Sequence, residues 1–252
     1  MLRSLVLSAC LIGMVLGLIM TAMQAVGVTP ILLAAEQYEI GSDHHAEADY
    51  SHEVTGMAEH HHDEEAWAPA DGAERYFYTA VSNVFAGIGF SAILLILMNQ
   101  LCERSRLALT PGRGLLVGGL CYLAVFVAPA LGLPPEIPGA AAAALESRQL
   151  WWITTVALAA AGLGWLFLAR GRKRWLGLPI LLLPYVWVPA HDGPLFSHPD
   201  PQAVVALNSL QHEFIWVSGF TNLVFWLLAG LLCVITLRRL GSTASVDEGV
   251  HG

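Results

Sequence analysis

Six stretches of this chain are apolar over enough residues to cross a bilayer, and that leaves few ways to fold it. They run Leu5–Ala35, Tyr78–Leu101, Gly114–Leu133, Leu150–Ala169, Leu176–Ala190 and Phe214–Leu237. A perpendicular helix needs about 20 residues to span the hydrocarbon. Inside lipid every backbone polar group must be satisfied within the protein, so the expected class is an all-α, polytopic helical membrane bundle. Only 13% of the 252 residues are charged, against about 25% in soluble domains. The first stretch is longer than one crossing needs, and Pro30 marks where it bends or stops. The fifth is short and interrupted by Pro179, Pro184 and Pro189. The count is therefore six transmembrane helices, or five if that segment does not cross.

Basic residues set the orientation, because Lys and Arg in short loops stay on the cytoplasmic side. Arg3 precedes the first span. Arg104, Arg106 and Arg113 fall between the second and third, and Arg170, Arg172, Lys173 and Arg174 between the fourth and fifth. Arg238 and Arg239 follow the sixth. With six crossings all of these share one side, and both termini are expected in the cytoplasm. Arg75 and Arg148 are the exceptions, at outer helix ends. The first stretch also resembles a signal peptide, but its apolar run is about twice the usual 7–15 residues. Cleavage near Ala35 would leave five spans with the following segment still outside.

That following segment is unlike the rest. Between Glu36 and Glu74 lie 12 of the 20 acidic residues and six of the ten histidines, so the net charge of −8 comes mainly from here. The organisation expected is span one over 1–35, an extracytoplasmic acidic, His-rich loop over 36–76, and helices two to six with a short cytoplasmic tail over 77–252. The loop carries His44, His45, His52, His60, His61 and His62 among carboxylates. Imidazole suits divalent transition ions, and carboxylates add charge neutralisation. Low hydrophobicity lets such a loop wrap around an ion. The bland alternative is a solvated acidic tether, but the bias in composition favours a metal-gathering surface.

A second outer constellation comprises His191, Asp192, His198 and Asp200 after span five, with His212 and Glu213 opening span six. These would supply mixed nitrogen and oxygen ligands at a pore mouth. The alternative is an interfacial loop with helix-capping acids. Within the spans no charged residue is convincing, although ion-coupled carriers usually keep one. Met20, Met23 and Gln24 share a helical face, and with Asn83 and Asn222 they are candidates for the transport path. Met as a pliable filler and Asn as an interhelical bond are the competing readings.

The four cysteines are scattered through spans or a cytoplasmic end, which implies neither a disulfide framework nor a clustered thiolate site. No phosphate-binding GxxxxGK[ST] loop, HExxH pair or nucleophile–base pair is present, so an enzyme is not expected. A faint repeat relates the last four spans: Ala144-Leu-Glu-Ser-Arg-Gln149 aligns with Ala206-Leu-Asn-Ser-Leu-Gln211, suggesting repeated helical hairpins of a kind common in transporters.

With this layout, the chain resembles the CbtA family of predicted cobalt transporters. The resemblance rests on the opening Met1-Leu-Arg-Ser-Leu-Val-Leu-Ser8, on Met20-Thr-Ala-Met-Gln24, on the His-rich loop and on Glu74-Arg-Tyr-Phe-Tyr-Thr-Ala-Val-Ser-Asn83. It continues through Tyr185-Val-Trp-Val-Pro-Ala-His-Asp192 and Gln211-His-Glu-Phe-Ile-Trp216. The family is usually described with about five spans. The resemblance implies cobalt uptake linked to cobalamin synthesis, alongside a small single-span, His-containing subunit, CbtB. No tightly bound cofactor and no nucleic-acid partner are expected; a divalent metal is the substrate, with lipid around the bundle and an oligomer left open. The ligand set itself fits cobalt, nickel or zinc equally. Export, or a metal-presenting membrane subunit that transports nothing, are the alternatives.

Overall fold

The computed structural model describes residues 2–47, 70, 72–105 and 108–250. Among the described residues all regular structure is helical. The elements are α1 (Leu2–Met23), a π-helical turn (Gln24–Val28), α2 (Thr29–Glu47), α3 (Ala73–Ser105), α4 (Pro111–Tyr122), a second π-helical turn (Leu123–Val127), α5 (Ala128–Gly132), α6 (Leu145–Leu168), α7 (Gly177–Leu182) and α8 (Pro201–Val250). Among the described residues five helical stretches are long and apolar enough to cross a membrane: Arg3–Tyr38, Ala73–Glu103, Pro111–Gly132, Leu145–Leu168 and Pro201–Gly241.

The missing sixth is the proline-broken segment. A short 3-10 helix (Gly171–Leu176), the six-residue α7 and another 3-10 turn (Leu183–Val186) replace the continuous helix expected over Leu176–Ala190. Pro179, Pro184 and Pro189 each lack an N–H and crowd the preceding turn, so no long α-helical ladder can form. The chain nevertheless makes six passes along the bundle. Gln211 of α8 bonds residues 135 and 137 after α5, and Trp151 near the start of α6 lies against Gly132. Both α6 and α8 therefore begin where α5 ends, and residues 169–200 must carry the chain back between them. They do so along α6: the Trp151 indole Nε1 donates to the Pro184 carbonyl at 3.1 Å.

The helix expected to end at Ala35 continues to Glu47, so residues 36–47, including His44 and His45, are helical rather than loop. No proline or glycine interrupts Glu36 to Ile40, and the extension is anchored: Ala35 is fully buried and Tyr38 packs with the cluster beneath it. The loop's other boundary also shifts, since α3 starts at Ala73.

The last helix, α8, is the axis of the bundle and packs on α1, α3 and α4. The main core joins Ile12 and Leu16 of α1, Leu94, Leu95 and Met98 of α3, and Phe225, Trp226, Cys233 and Val234 of α8. Lipid tails are as apolar as leucine, so close contact rather than water exclusion holds such helices together, and small residues permit it. At Gly114 an added Cβ would sit 2.6 Å from the Gly230 carbonyl oxygen across the α4–α8 crossing. The same device joins α6 to α7, where a Cβ on Gly177 would lie 2.5 Å from the Gly162 oxygen. The hairpin scheme holds for spans one and two and for spans three and four, but the fifth pass lies on the fourth rather than on the sixth, and the sixth lies on the first three.

The antiparallel passes gather Arg3, Arg113, the Arg170–Arg174 cluster, Arg238 and Arg239 at one end. The opposite end holds the residues leading into 48–69, the 133–144 loop and the 187–200 loop. Here Arg75 makes a two-pronged pair with Glu36 at 3.0 and 3.1 Å, and Arg148 pairs with Glu136 at 2.8 Å. The two arginines that break the charge rule are each neutralised by a carboxylate.

Candidate metal-handling sites

At the loop end, His52, His60, His61 and His62 lie outside the described residues. His44 and His45 are placed as backbone in the final turns of α2. The 187–200 loop is well anchored. Gly193 turns it with a φ of 107°, the Leu195 carbonyl accepts from Ala141 N at 2.7 Å, and Phe196 is buried with Ile31, Ala35, Ile137 and Leu207. His191 is half-buried beside exposed Asp192. His198 Nδ1 accepts the Asp200 backbone N–H at 3.0 Å, with Tyr38 edge-on to its ring at 6.4 Å. A neutral imidazole that accepts at Nδ1 carries its proton on Nε2, so metal binding by His198 requires that bond to break or that proton to leave. Asp200 Oδ1 accepts from Gln202 N at 2.8 Å, which makes it the N-cap of α8 ahead of Pro201.

His212 and Glu213 are exposed on the fourth turn of α8, with His212 tilted against Trp216 at 6.5 Å. The residues named for the outer mouth therefore share one end of the bundle. Among the described residues, however, no three His, Cys, Asp or Glu gather closely enough to hold one ion. The sequence marked Gln211 within the repeat and the family segment, but not its structural role. Its side chain, 5% exposed, accepts from Ile137 N at 3.0 Å and donates to the Pro135 carbonyl at 2.7 Å. It clamps the 133–144 loop to α8, immediately before His212.

Deeper in the bundle a neutral polar layer forms around the π-turns. Asn83 of α3 donates to Gln24 Oε1 at 2.6 Å and to Thr21 Oγ1 at 3.0 Å. Gln24 opens the first π-turn, where the Thr29 N–H reaches back five residues to the Gln24 carbonyl. Pro30 then removes the next donor, so a carbonyl of that turn has no intrahelical partner. The second π-turn repeats the arrangement: Ala128 N bonds the Leu123 carbonyl, and Pro129 follows. Both turns touch α8. Their neighbours there include Val217 against Gly27, and Gly219 near the Phe126 ring. At and just beyond these points α8 carries buried Ser218 and Thr221 and half-buried Asn222, whose Nδ2 donates to the Ser218 carbonyl at 3.0 Å.

Met20 packs against the main core, while Met23 is half-buried one turn from Met20. Of the path candidates, Gln24 and Asn83 are brought into contact, whereas Asn222 bonds within its own helix, α8. Thr21 and the π-turns went unread in the sequence. Their signal was there in Ala25-Val-Gly-Val-Thr-Pro30 and Ala124-Val-Phe-Val-Ala-Pro129. Single-turn π-bulges recur at functional sites, and irregular backbone at membrane depth is tolerated only where protein or a polar cavity surrounds it.

A helical bundle with five long apolar helices, basic residues at one end and a neutral polar layer inside is a polytopic membrane protein. Residues 2–238 match the CbtA family, described as a probable cobalt transporter subunit, and the chain belongs to that family. No curated protein and no solved structure matches it.

Proposed function

We propose that the chain carries divalent cobalt inward across the bacterial inner membrane. The observation that carries this reading is the family match over nearly the whole chain. Its basic end would face the cytoplasm and the acidic, His-rich loop the outside. The acidic segment from His44 to His62, which starts in the last turns of α2, raises the local ion concentration through imidazole and carboxylate groups. His191, Asp192, His198, His212 and Glu213 then receive the ion at the outer mouth. Because these groups are spread along one rim, they act as successive weak ligands, and weak multiple sites let an ion leave as readily as it enters.

Below them the ion passes the neutral layer of Gln24, Asn83, Ser218, Thr221 and Asn222, where oxygen atoms and proline-freed carbonyls replace part of its hydration shell. Met20 and Met23 border this route. A small single-span CbtB-like subunit is the proposed partner.

Uptake of radiolabelled cobalt by cells expressing the chain, alone and with the partner, tests the proposal. Accumulation above that of cells lacking the gene supports it, and no difference in either case refutes it. Deleting residues 42–65 separates carrier from metal-presenting subunit. A carrier keeps its maximal rate at saturating cobalt and loses apparent affinity; a presenting protein loses function at every concentration. Competition by nickel and zinc ranks the metals.

A further inference from the structure

A groove of about 540 Å³ opens between the α4–α5 pass and α6 at the loop end of the bundle. It belongs to none of the metal-handling residues above. Its floor is apolar, with Phe126 of the second π-turn, Leu133 after α5, and Trp152 and Ile153 of α6. Its rim is the Glu136–Arg148 ion pair. With 1.5 Å of rise per residue, the seven residues from Phe126 to Leu133 give the trough a depth of about 10 Å. The rim stands where α6 begins and the 133–144 loop turns, which is headgroup level in a membrane-crossing bundle. Exposed Trp152 beside it is the side chain favoured at that boundary.

We infer that this groove is a site for one phospholipid with a zwitterionic, primary-ammonium headgroup, a phosphatidylethanolamine. The ion pair is itself a fixed plus–minus pair, with Arg148 Nη2 2.8 Å from Glu136 Oε2. An Arg guanidinium has five N–H donors in a fork that fits phosphate, and a carboxylate has a second oxygen for an ammonium. The phosphate of such a lipid lies beside Arg148 and its ammonium beside Glu136, with one acyl chain following the trough to Phe126. A quaternary choline head has no N–H to give Glu136. A glycerol head gives Arg148 its phosphate but leaves the carboxylate unmatched. A transmembrane helix fits less well: a 10 Å length of helix fills about 800 Å³ at the usual diameter, so it would rest on the rim and leave the floor empty.

Native mass spectrometry of the delipidated full-length protein, offered equal amounts of phosphatidylethanolamine, phosphatidylcholine and phosphatidylglycerol with identical acyl chains, tests this directly. One bound phosphatidylethanolamine, retained about tenfold over the other two, is expected. Arg148→Gln and Glu136→Gln should each bring it down to the phosphatidylcholine level. Phe126→Trp, which fills the floor, should lower all three lipids without changing their order. The comparison of lipids on the unaltered protein needs no variant to fold. Equal retention of the three overturns the inference. So does preference for phosphatidylglycerol that survives Glu136→Gln, which would mark a general anionic-lipid contact. Efficient disulfide cross-linking between two copies through Ile153→Cys would assign the groove to self-association instead.

Discussion

Replacing Gln211 with alanine should loosen the outer loop more than any other single polar change at that end. The side chain is buried and holds two backbone groups of the 133–144 loop, Ile137 N at 3.0 Å and the Pro135 carbonyl at 2.7 Å. Removing it leaves both without their partner, and Ile137 itself is only 3% exposed, within the cluster formed by Ile31, Ala35, Phe196 and Leu207. A buried group left unsatisfied costs about 1–3 kcal/mol. One of the two groups can recover water near the rim and then loses only the net worth of its bond, about 0.5–1.5 kcal/mol, so the expected total loss is about 2–4 kcal/mol. At about 2–4 °C per kcal/mol for a chain of this size, the midpoint of thermal unfolding in detergent should fall by roughly 4–15 °C. Hydrogen exchange localises the effect: the Ile137 amide should lose protection while amides in the α3 core keep theirs. Gln149, the repeat counterpart on α6, is exposed, and Gln149→Ala should change neither measurement. A midpoint within one degree of the unaltered protein, with Ile137 still protected, would refute the clamp.

Asn83→Leu removes both bonds of the Thr21–Asn83–Gln24 layer. Interhelical bonds of this kind average about 0.6 kcal/mol in membranes, so stability should drop by only about 1 kcal/mol, while the cobalt uptake rate should fall at least tenfold; uptake unchanged in a well-folded variant would remove this layer from the path. Gly114→Leu places a side chain against the Gly230 carbonyl and should abolish the α4–α8 contact, seen as loss of monodisperse protein on size exclusion, whereas Gly112→Leu, open to its surroundings, should be tolerated. Cobalt binding by the purified chain should weaken as pH falls from 7.5 to 5, because free imidazole protonates near 6.5 and protons then compete with metal; calorimetric titration with equal affinity at both pH values would exclude histidine as the main ligand.

Much of the architecture is legible without coordinates because membrane insertion is decided locally. About twenty consecutive apolar residues must become helix in lipid, whatever lies next to them, so the helices of spans two, three and four were placed to within about five residues, whereas the last helix begins at Pro201, well before the expected Phe214. The first was recognised but stopped too soon at Ala35, since hydropathy falls there while helix-forming residues continue. Prolines 179, 184 and 189 showed that the fifth segment is broken; that it still returns along α6 depends on Trp151 reaching the Pro184 carbonyl. Charge patterning also marked the two ends.

What required the tertiary structure is everything that depends on which helix meets which. Nothing in the linear chain says that Gly177 faces Gly162 while Gly114 faces Gly230, that the two outer arginines find Glu36 and Glu136, or that Asn83 answers Gln24 across 59 positions. Hydropathy is a property of a residue and its neighbours in sequence, and it fixes how many times the chain crosses. Van der Waals contact and hydrogen bonding act over a few ångströms between residues far apart in sequence, so only the packed bundle could assign the partners.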